Sequence, residues 1–241
     1  MRALALDSTL AEGHWALGQI LFGFDFDWPA AGREFDRAIE LDSRSIEARN
    51  LRAIYLLGQS RFEEAESELM LALATDPLVS EISQTLGRVY LYTRQTDKAI
   101  RYLHEALALA PDFSYARGNL AHALLQRGML AEAVTEFERA AASGGPGDAA
   151  QVAYVYAICD RRSDATTILD GLLAPGHYAP PYHTAMAYVG LGETDTAFQW
   201  QERAYAERDP HIGSLNVMPA FDSLRSDLRF GNLVRRMGLV P

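Results

Sequence analysis

Apolar residues return every three to four positions along most of the chain, a spacing that predicts amphipathic helices. A longer period overlies this one, because Pro77, Pro111 and Gly145 follow one another at intervals of 34 residues. Between these breaks, small and large apolar residues stand at matched positions: Leu86-Gly87 with Leu120-Ala121, Ala99 with Ala133, Leu103 with Phe137, and Ala106 with Ala140. A repeated unit of this length predicts helical hairpins stacked side by side.

The unit 78–111 shows the predicted hairpin most clearly. Two stretches of helical spacing are separated by a polar turn at 94–97, and Pro111 ends the second stretch because proline cannot continue the backbone hydrogen-bond ladder. Gly87 and Ala99 are small, which lets the two helices approach closely while larger neighbours fill the surrounding space. The alternation of small and large residues therefore predicts where the helices touch.

The chain resembles a tetratricopeptide repeat array, whose units share this pattern. The resemblance implies an all-α, right-handed superhelical solenoid of about six helical hairpins, followed by a C-terminal capping helix. The expected boundaries are 1–7 for the end of a preceding repeat helix, then 8–43, 44–77, 78–111, 112–145, 146–177 and 178–209 for the hairpins, and 210–241 for the capping segment. We expect the chain to be a fragment; the alternative is a genuine start with a frayed first turn.

The stretch 224–230, LRSDLRF, resembles the C-terminal end of the repeat regions of large bacterial signalling and transcriptional regulators. In those proteins a DNA-binding winged helix, a nucleotide cyclase or a protein kinase domain often precedes the repeats. Leu228 stands where that family commonly has proline. The resemblance implies a setting in a bacterial regulator and does not imply an activity.

Composition narrows the classes of partner. The 241 residues carry a formal net charge of −10 and a single lysine, Lys98, which argues against a nucleic-acid partner for this segment. The single cysteine, Cys159, excludes an intrachain disulfide and favours a reducing compartment. No stretch approaches the roughly 20 apolar residues that span a bilayer. We therefore predict a cytoplasmic protein with no membrane partner.

Motifs that carry catalysis or bind cofactors are missing from the sequence. There is no phosphate-binding glycine loop, no Gly-x-Ser-x-Gly elbow, and no pair of histidines at metal-binding spacing. We predict no enzymatic activity, no cofactor and no metal.

In an array of this family the first helix of each hairpin lines the concave face, so side chains there that do not pack within the hairpin are candidates for binding. Helical spacing places eleven such candidates: Trp15, Gln19, Phe22, Asn50, Ile54, Gln84, Arg88, Tyr115, His122, Tyr156 and Tyr182. The alternative for Tyr182 is packing between neighbouring first helices, whereas exposure is favoured for Trp15, Tyr115 and Tyr156.

These features predict a non-catalytic protein–protein interaction module that presents a concave groove to a partner peptide or domain. Two alternatives stay open at this point. The first is a small-molecule-sensing domain that controls an upstream output domain. The second is a scaffold that self-associates into a homo-oligomer through its N-terminal end.

Overall fold

The computed structural model describes Leu4 and residues 7–239, the side chain of Ser143 excepted. Within this part of the chain the structure is helical and contains no β-strand, which confirms the predicted all-α fold. The predicted helix end at 1–7 falls, apart from Leu4 and Asp7, outside the described residues. No helix in the described part is both long enough and apolar enough to cross a bilayer.

The described helices form six antiparallel hairpins followed by one more helix. The first helices of the hairpins are α1 Ala11–Ile20, α3 Ile46–Gly58, α5 Ser80–Tyr92, α7 Ser114–Gln126, α9 Pro146–Ile158 and α11 Pro181–Gly190. The second helices are α2 Trp28–Leu41, α4 Phe62–Thr75, α6 Thr96–Leu109, α8 Leu130–Ser143, α10 Arg162–Leu172 and α12 Thr194–Ala206. The final helix is α13, Leu228–Arg236.

Small residues set the distance between the two helices of a hairpin. A Cβ atom built on Gly87 would lie 2.5 Å from Cγ of Leu103, and one on Gly18 would lie 2.8 Å from Cε1 of Phe35. Both distances are shorter than any normal carbon–carbon contact, so only glycine fits at these two positions without a shift of the helices. Leu103 and Phe35 are themselves fully enclosed, at 0% and 1% exposed.

The turn inside each hairpin repeats the same backbone conformation. One residue per turn lies in the left-handed region, with φ between 55° and 78°: Phe26, Ser60, Arg94, Gly128, Asp160 and Gly192. The first turn differs in being preceded by a π-helix at Leu21–Asp25, which accounts for its extra length. The sequence repeat is therefore also a repeat of backbone geometry.

After the sixth hairpin the chain turns back into the concave side of the array. Residues 209–224, which we call the inner strap, contain two short 3₁₀ helices, Ile212–Ser214 and Pro219–Leu224. Within the strap, Ile212–Ser214 contacts α3 and Pro219–Leu224 contacts α11. Every residue of α5 from 82 to 92 is buried. The predicted capping helix exists as α13, but the segment before it occupies part of the groove that the sequence suggests is open.

Contacts near the end of the chain join it to the first hairpin. The indole N–H of Trp28 donates a hydrogen bond to the carbonyl of Met237. The ring of Phe26 stacks on Tyr205 of α12 at 5.8 Å between centroids. The first and sixth hairpins thus meet, and α13 is held against both.

Candidate functional site

A cavity of about 550 Å³ remains in the N-terminal half of the concave face, and we call it the inner pocket. Its walls are the first helices α1, α3 and α5 on one side, and residues 210–214 of the inner strap on the other. Several of the residues predicted from helical spacing line this one cavity: Gln19, Phe22, Asn50, Ile54, Gln84, Arg88 and Tyr115. Side chains from the first four hairpins converge here because the same face of each first helix turns inward.

Arg88 provides the positive charge of the inner pocket. Its side chain is only 8% exposed, and the guanidinium carbon lies 5.7 Å from the ring centroid of Tyr92 and 5.9 Å from that of Tyr115. Its Nε donates a long hydrogen bond of 3.4 Å to the Tyr92 hydroxyl. Among the described residues no carboxylate pairs with Arg88, whereas Arg52 of α3 pairs with Glu68 at 2.8 Å. Arg88 is therefore a desolvated cation without a counter-charge.

Two amide side chains in the inner pocket also have unused hydrogen-bonding atoms. Gln84 is 4% exposed, and its Nε2 finds no acceptor among the described residues. Oδ1 of Asn50, on the neighbouring helix α3, finds no donor there. A buried polar atom left without a partner costs free energy, so both side chains stand to gain a hydrogen bond from a group that enters the cavity.

The other end of the inner pocket is apolar. Phe22 packs edge-on against Trp28, with ring centroids 4.9 Å apart, and Ile54 and Leu57 continue this surface along α3. At the rim Phe24 is 62% exposed, although it also lines the cavity. The pocket thus combines a polar interior at α5 with an apolar surface that reaches solvent.

His122 and Tyr182 lie beyond the inner pocket, around a much smaller cavity of about 40 Å³ beside the strap. Tyr182 is 3% exposed, and its hydroxyl is hydrogen-bonded to Oγ of Ser214 at 3.2 Å. Its side chain packs between the array and the strap, so it faces protein rather than solvent. His122 is 4% exposed and contacts Gln151 Oε1 through Nε2 at 3.2 Å.

Buried histidines beside the strap are held neutral. Burial lowers the pKa of His122 to about 4, and burial together with the adjacent His211 lowers the pKa of His183 to about 3. Asp209 begins the strap and accepts hydrogen bonds from the backbone N–H of Tyr182 and from His211. Burial alone would raise the pKa of Asp209, but these hydrogen bonds lower it. This cluster anchors the strap to α11.

Two predicted residues line neither cavity. Trp15 is half-buried on α1. Tyr156 donates a hydrogen bond from its hydroxyl to Glu138 at 2.7 Å, and Arg161 lies over its ring at 3.6 Å. Sequence reasoning in turn missed the strap wall of the inner pocket, which includes Pro210 and His211. The signal for that wall was the loss of the repeat period after Pro210.

Stacked hairpins with a lined concave face define a helical-repeat protein of the kind that works by presenting a surface. Residues 27–78 and 85–149 match the family model described as tetratricopeptide repeat. These two ranges, just under half of the chain, are therefore tetratricopeptide repeats. This match agrees with the repeat family that the sequence pattern predicts and with the all-α fold of the structure.

Curated relatives match the chain over part of its length. It is 30% identical over 110 residues to the type IV pilus assembly protein PilF of Pseudomonas aeruginosa. The aligned residues are 45% of this chain and 43% of PilF. It is 34% identical over 113 residues to protein FlbA of Caulobacter vibrioides. The aligned residues are 46% of this chain and 19% of FlbA. The chain therefore spans less than half the length of these relatives.

Solved structures reproduce the fold over a larger share of the chain. The solved structure of Pseudomonas aeruginosa PilF superimposes with a TM-score of 0.60 at 20% identity, and the superposition covers 86% of this chain and 96% of the chain in that structure. A thermophilic tetratricopeptide repeat protein of Thermus thermophilus superimposes with a TM-score of 0.65 at 18% identity, covering 79% of this chain and all of the other. At these identities the likeness establishes the fold.

Proposed function

We propose that this chain is a non-catalytic protein-interaction module whose partner binds at the rim of the inner pocket. The observation that supports this site is the exposed pair Ile20 and Phe24, at 46% and 62%, beside a cavity lined by Gln19 and Phe22. An exposed aromatic side chain next to a partly enclosed cavity suits a partner side chain that fills it. The strap forms one wall of this cavity, so the partner approaches from the exposed side at Ile20 and Phe24.

The proposed setting is the C-terminal part of a bacterial regulator, in which the array recruits a partner for an upstream output domain. It is supported by the resemblance of 224–230 to the repeat ends of such regulators. The relatives that match the chain are bacterial, and one is named as a pilus assembly protein, which favours a role in protein assembly over chemistry. A cytoplasmic location stays a prediction from the sequence.

Site-resolved cross-linking tests the proposed surface. Benzoylphenylalanine is incorporated at position 24 in the full-length protein in its source cells, and in a matched variant at position 228, where Leu228 is 84% exposed on α13. We expect one protein to cross-link from position 24 and not from position 228. The same partner captured equally from both positions would remove the assignment of this rim.

A second candidate function is small-molecule sensing, and a specific observation favours it. The strap closes one side of the inner pocket and leaves Arg88 and Gln84 buried within it, so the cavity is enclosed on more sides than an open groove. Its volume falls within the usual range for small-ligand sites, about 300–1,000 Å³. A thermal-shift screen of metabolites tests this function, because a ligand that binds only the folded chain raises its melting temperature.

Self-association through the N-terminal end is a third proposal, taken from the sequence. The surface expected to pair with a second copy is the exposed apolar surface of the first hairpin, residues 8–43. Light scattering over a range of concentrations decides it, and a constant monomer mass would remove it.

A further inference from the structure

We propose that the inner pocket binds a small organic acid that has one carboxylate and an apolar body, with Arg88 receiving the carboxylate. This inference rests on the second candidate function above and names the class of ligand. It is argued from the charge, the unused hydrogen-bonding atoms and the shape of one cavity.

The first step is the charge balance at Arg88. A guanidinium is always protonated and carries five N–H donors, of which one here makes a long bond to the Tyr92 hydroxyl. On the neighbouring helix α3, Arg49 and Arg52 both pair with Glu68. Arg88 has no such partner among the described residues, and a desolvated cation without a partner is costly. A ligand carboxylate restores the balance and can bond two N–H groups at once.

The second step is the position of the neighbouring amides. Gln84 precedes Arg88 by four residues on α5, so the two side chains lie on the same face one turn apart. Gln84 lines the same cavity, and its buried Nε2 has no acceptor among the described residues, so a turn of the side chain toward the ligand would give this donor a partner. Oδ1 of Asn50, from α3, is an unused acceptor and can take an N–H or O–H group of the ligand.

The third step is the apolar surface that faces these groups. Phe22, Phe35, Ile54 and Leu57 line the cavity on the side of α1 to α3. A cavity of about 550 Å³ holds an aromatic or medium-length aliphatic acid without leaving large voids. The ligand therefore has an apolar body attached to its carboxylate.

The fourth step sets the number of charges on the ligand. Glu81 lies on the same face of α5, seven residues before Arg88, and also lines the pocket. At 1.5 Å rise per residue the two residues are about 10 Å apart along the helix. A second carboxylate on a ligand bound to Arg88 would lie either toward Glu81, whose negative charge repels it, or against the apolar surface of α1 to α3, which does not solvate it. The pocket therefore selects a monocarboxylate over a dicarboxylate of similar length.

Titration calorimetry on the wild-type chain tests the proposal with defined probes. The probes are octanoate, 3-phenylpropionate, the primary amides of both acids, and the eight-carbon dicarboxylate suberate. We expect each acid to bind at least about tenfold more tightly than its amide, since only the carboxylate pairs with Arg88. We expect octanoate to bind several-fold more tightly than suberate.

Three variants locate the binding groups. Arg88→Met keeps an unbranched apolar side chain, and it should remove the preference for acid over amide. Glu81→Gln should reduce the preference for octanoate over suberate. Arg101→Gln, on the outer helix α6, changes the net charge equally and should leave every affinity unchanged. Circular dichroism checks the fold of each variant, and the acid–amide comparison on the wild type needs no variant.

Equal affinities for acid and amide would overturn the proposal, and so would the absence of binding by both acids at millimolar concentration. Binding of a tripeptide with a free C-terminus, while both free acids fail, would overturn the small-ligand assignment. A partner that still cross-links from position 24 in that case shows that the interaction function survives without this ligand class.

Discussion

Mild acid should destabilise this protein through two buried histidines. His122 lies between the rings of Phe137 and Tyr154, at 4.9 Å and 5.8 Å between centroids, and is 4% exposed. His183 is 8% exposed, its Nδ1 has no hydrogen-bond partner among the described residues, and its ring lies 4.5 Å from that of His211. A proton added to either ring creates a cation that the surroundings do not solvate.

The size of the stability loss follows from the difference between the pKa of each histidine in the folded chain and in the unfolded chain. In the folded chain the pKa of His122 is about 4 and that of His183 about 3, whereas an unfolded histidine has a pKa of about 6.5. The folded values are depressed, so their contribution to stability is present above pH 6.5 and is lost as the pH falls. At pH 5 the unfolded rings are protonated and the folded rings are not, which costs about 2 kcal/mol per histidine.

Denaturant unfolding followed by circular dichroism measures this loss. The free energy of unfolding is compared at pH 7 and pH 5 for the wild type, His122→Gln and His183→Gln. The free energy of unfolding should fall less between pH 7 and pH 5 in each variant than in the wild type, by about 2 kcal/mol, because glutamine does not titrate. His104→Gln is the matched control, since His104 is exposed on α6, and it should leave the pH dependence unchanged.

Other titrating groups do not confuse the comparison. His14 pairs with Glu34 and His211 with Asp209, and these pairs are present in the wild type and in both variants. The comparison with His122→Gln therefore reports mainly the His122 ring, whereas the comparison with His183→Gln reports the neighbouring pair His183 and His211 together. If both variants lose as much stability as the wild type between pH 7 and pH 5, the two rings are hydrated in the folded state and the reasoning fails.

Three further substitutions test the packing. Gly87→Leu should lower the free energy of unfolding by about 1–3 kcal/mol or more, because any Cβ at this position collides with Leu103; a melting temperature equal to wild type would show that the helix register is wrong. Gly128→Ala should cost about 1 kcal/mol in a urea titration, since φ is +78° and no neighbouring atom lies within 4 Å of the added methyl. Trp28→Phe should cost about 1–2 kcal/mol in calorimetry because the carbonyl of Met237 loses its indole donor, and an unchanged value would mean that water replaces it.

The repeat part of the fold could be predicted from the sequence because its rules are local. Gly18 and Gly87 sit where two helices must touch, and each meets a large residue seventeen or sixteen positions later in the same hairpin. The lining of the inner pocket followed from the same locality, because Gln84 and Arg88 share a helix face by spacing alone. The burial of Tyr182 could not be predicted from helical spacing. Its hydroxyl is hydrogen-bonded to Ser214, which lies beyond the last repeat.

The path of the chain after the last hairpin, through the inner strap and α13, depends on contacts that no periodic pattern encodes. Trp28 meets Met237 across 209 residues, and Arg94 meets Asp222 across 128 residues. These contacts join residues that are far apart in sequence and close in the folded superhelix. A repeat pattern describes only contacts within and between neighbouring hairpins, so it does not predict the path of the chain after Pro210.

The inner strap also changes what the groove can do. An open solenoid offers a long shallow surface, which suits an extended partner. Here residues 210–214 add a second wall to the cavity that holds Arg88, so polar groups of α5 are kept away from bulk water. Charge pairing is stronger in such surroundings than at an open surface, because the local dielectric is lower. Enclosure by the strap thus lets Arg88 discriminate between an acid and its amide. The exposed rim at Phe24 stays accessible to a larger partner.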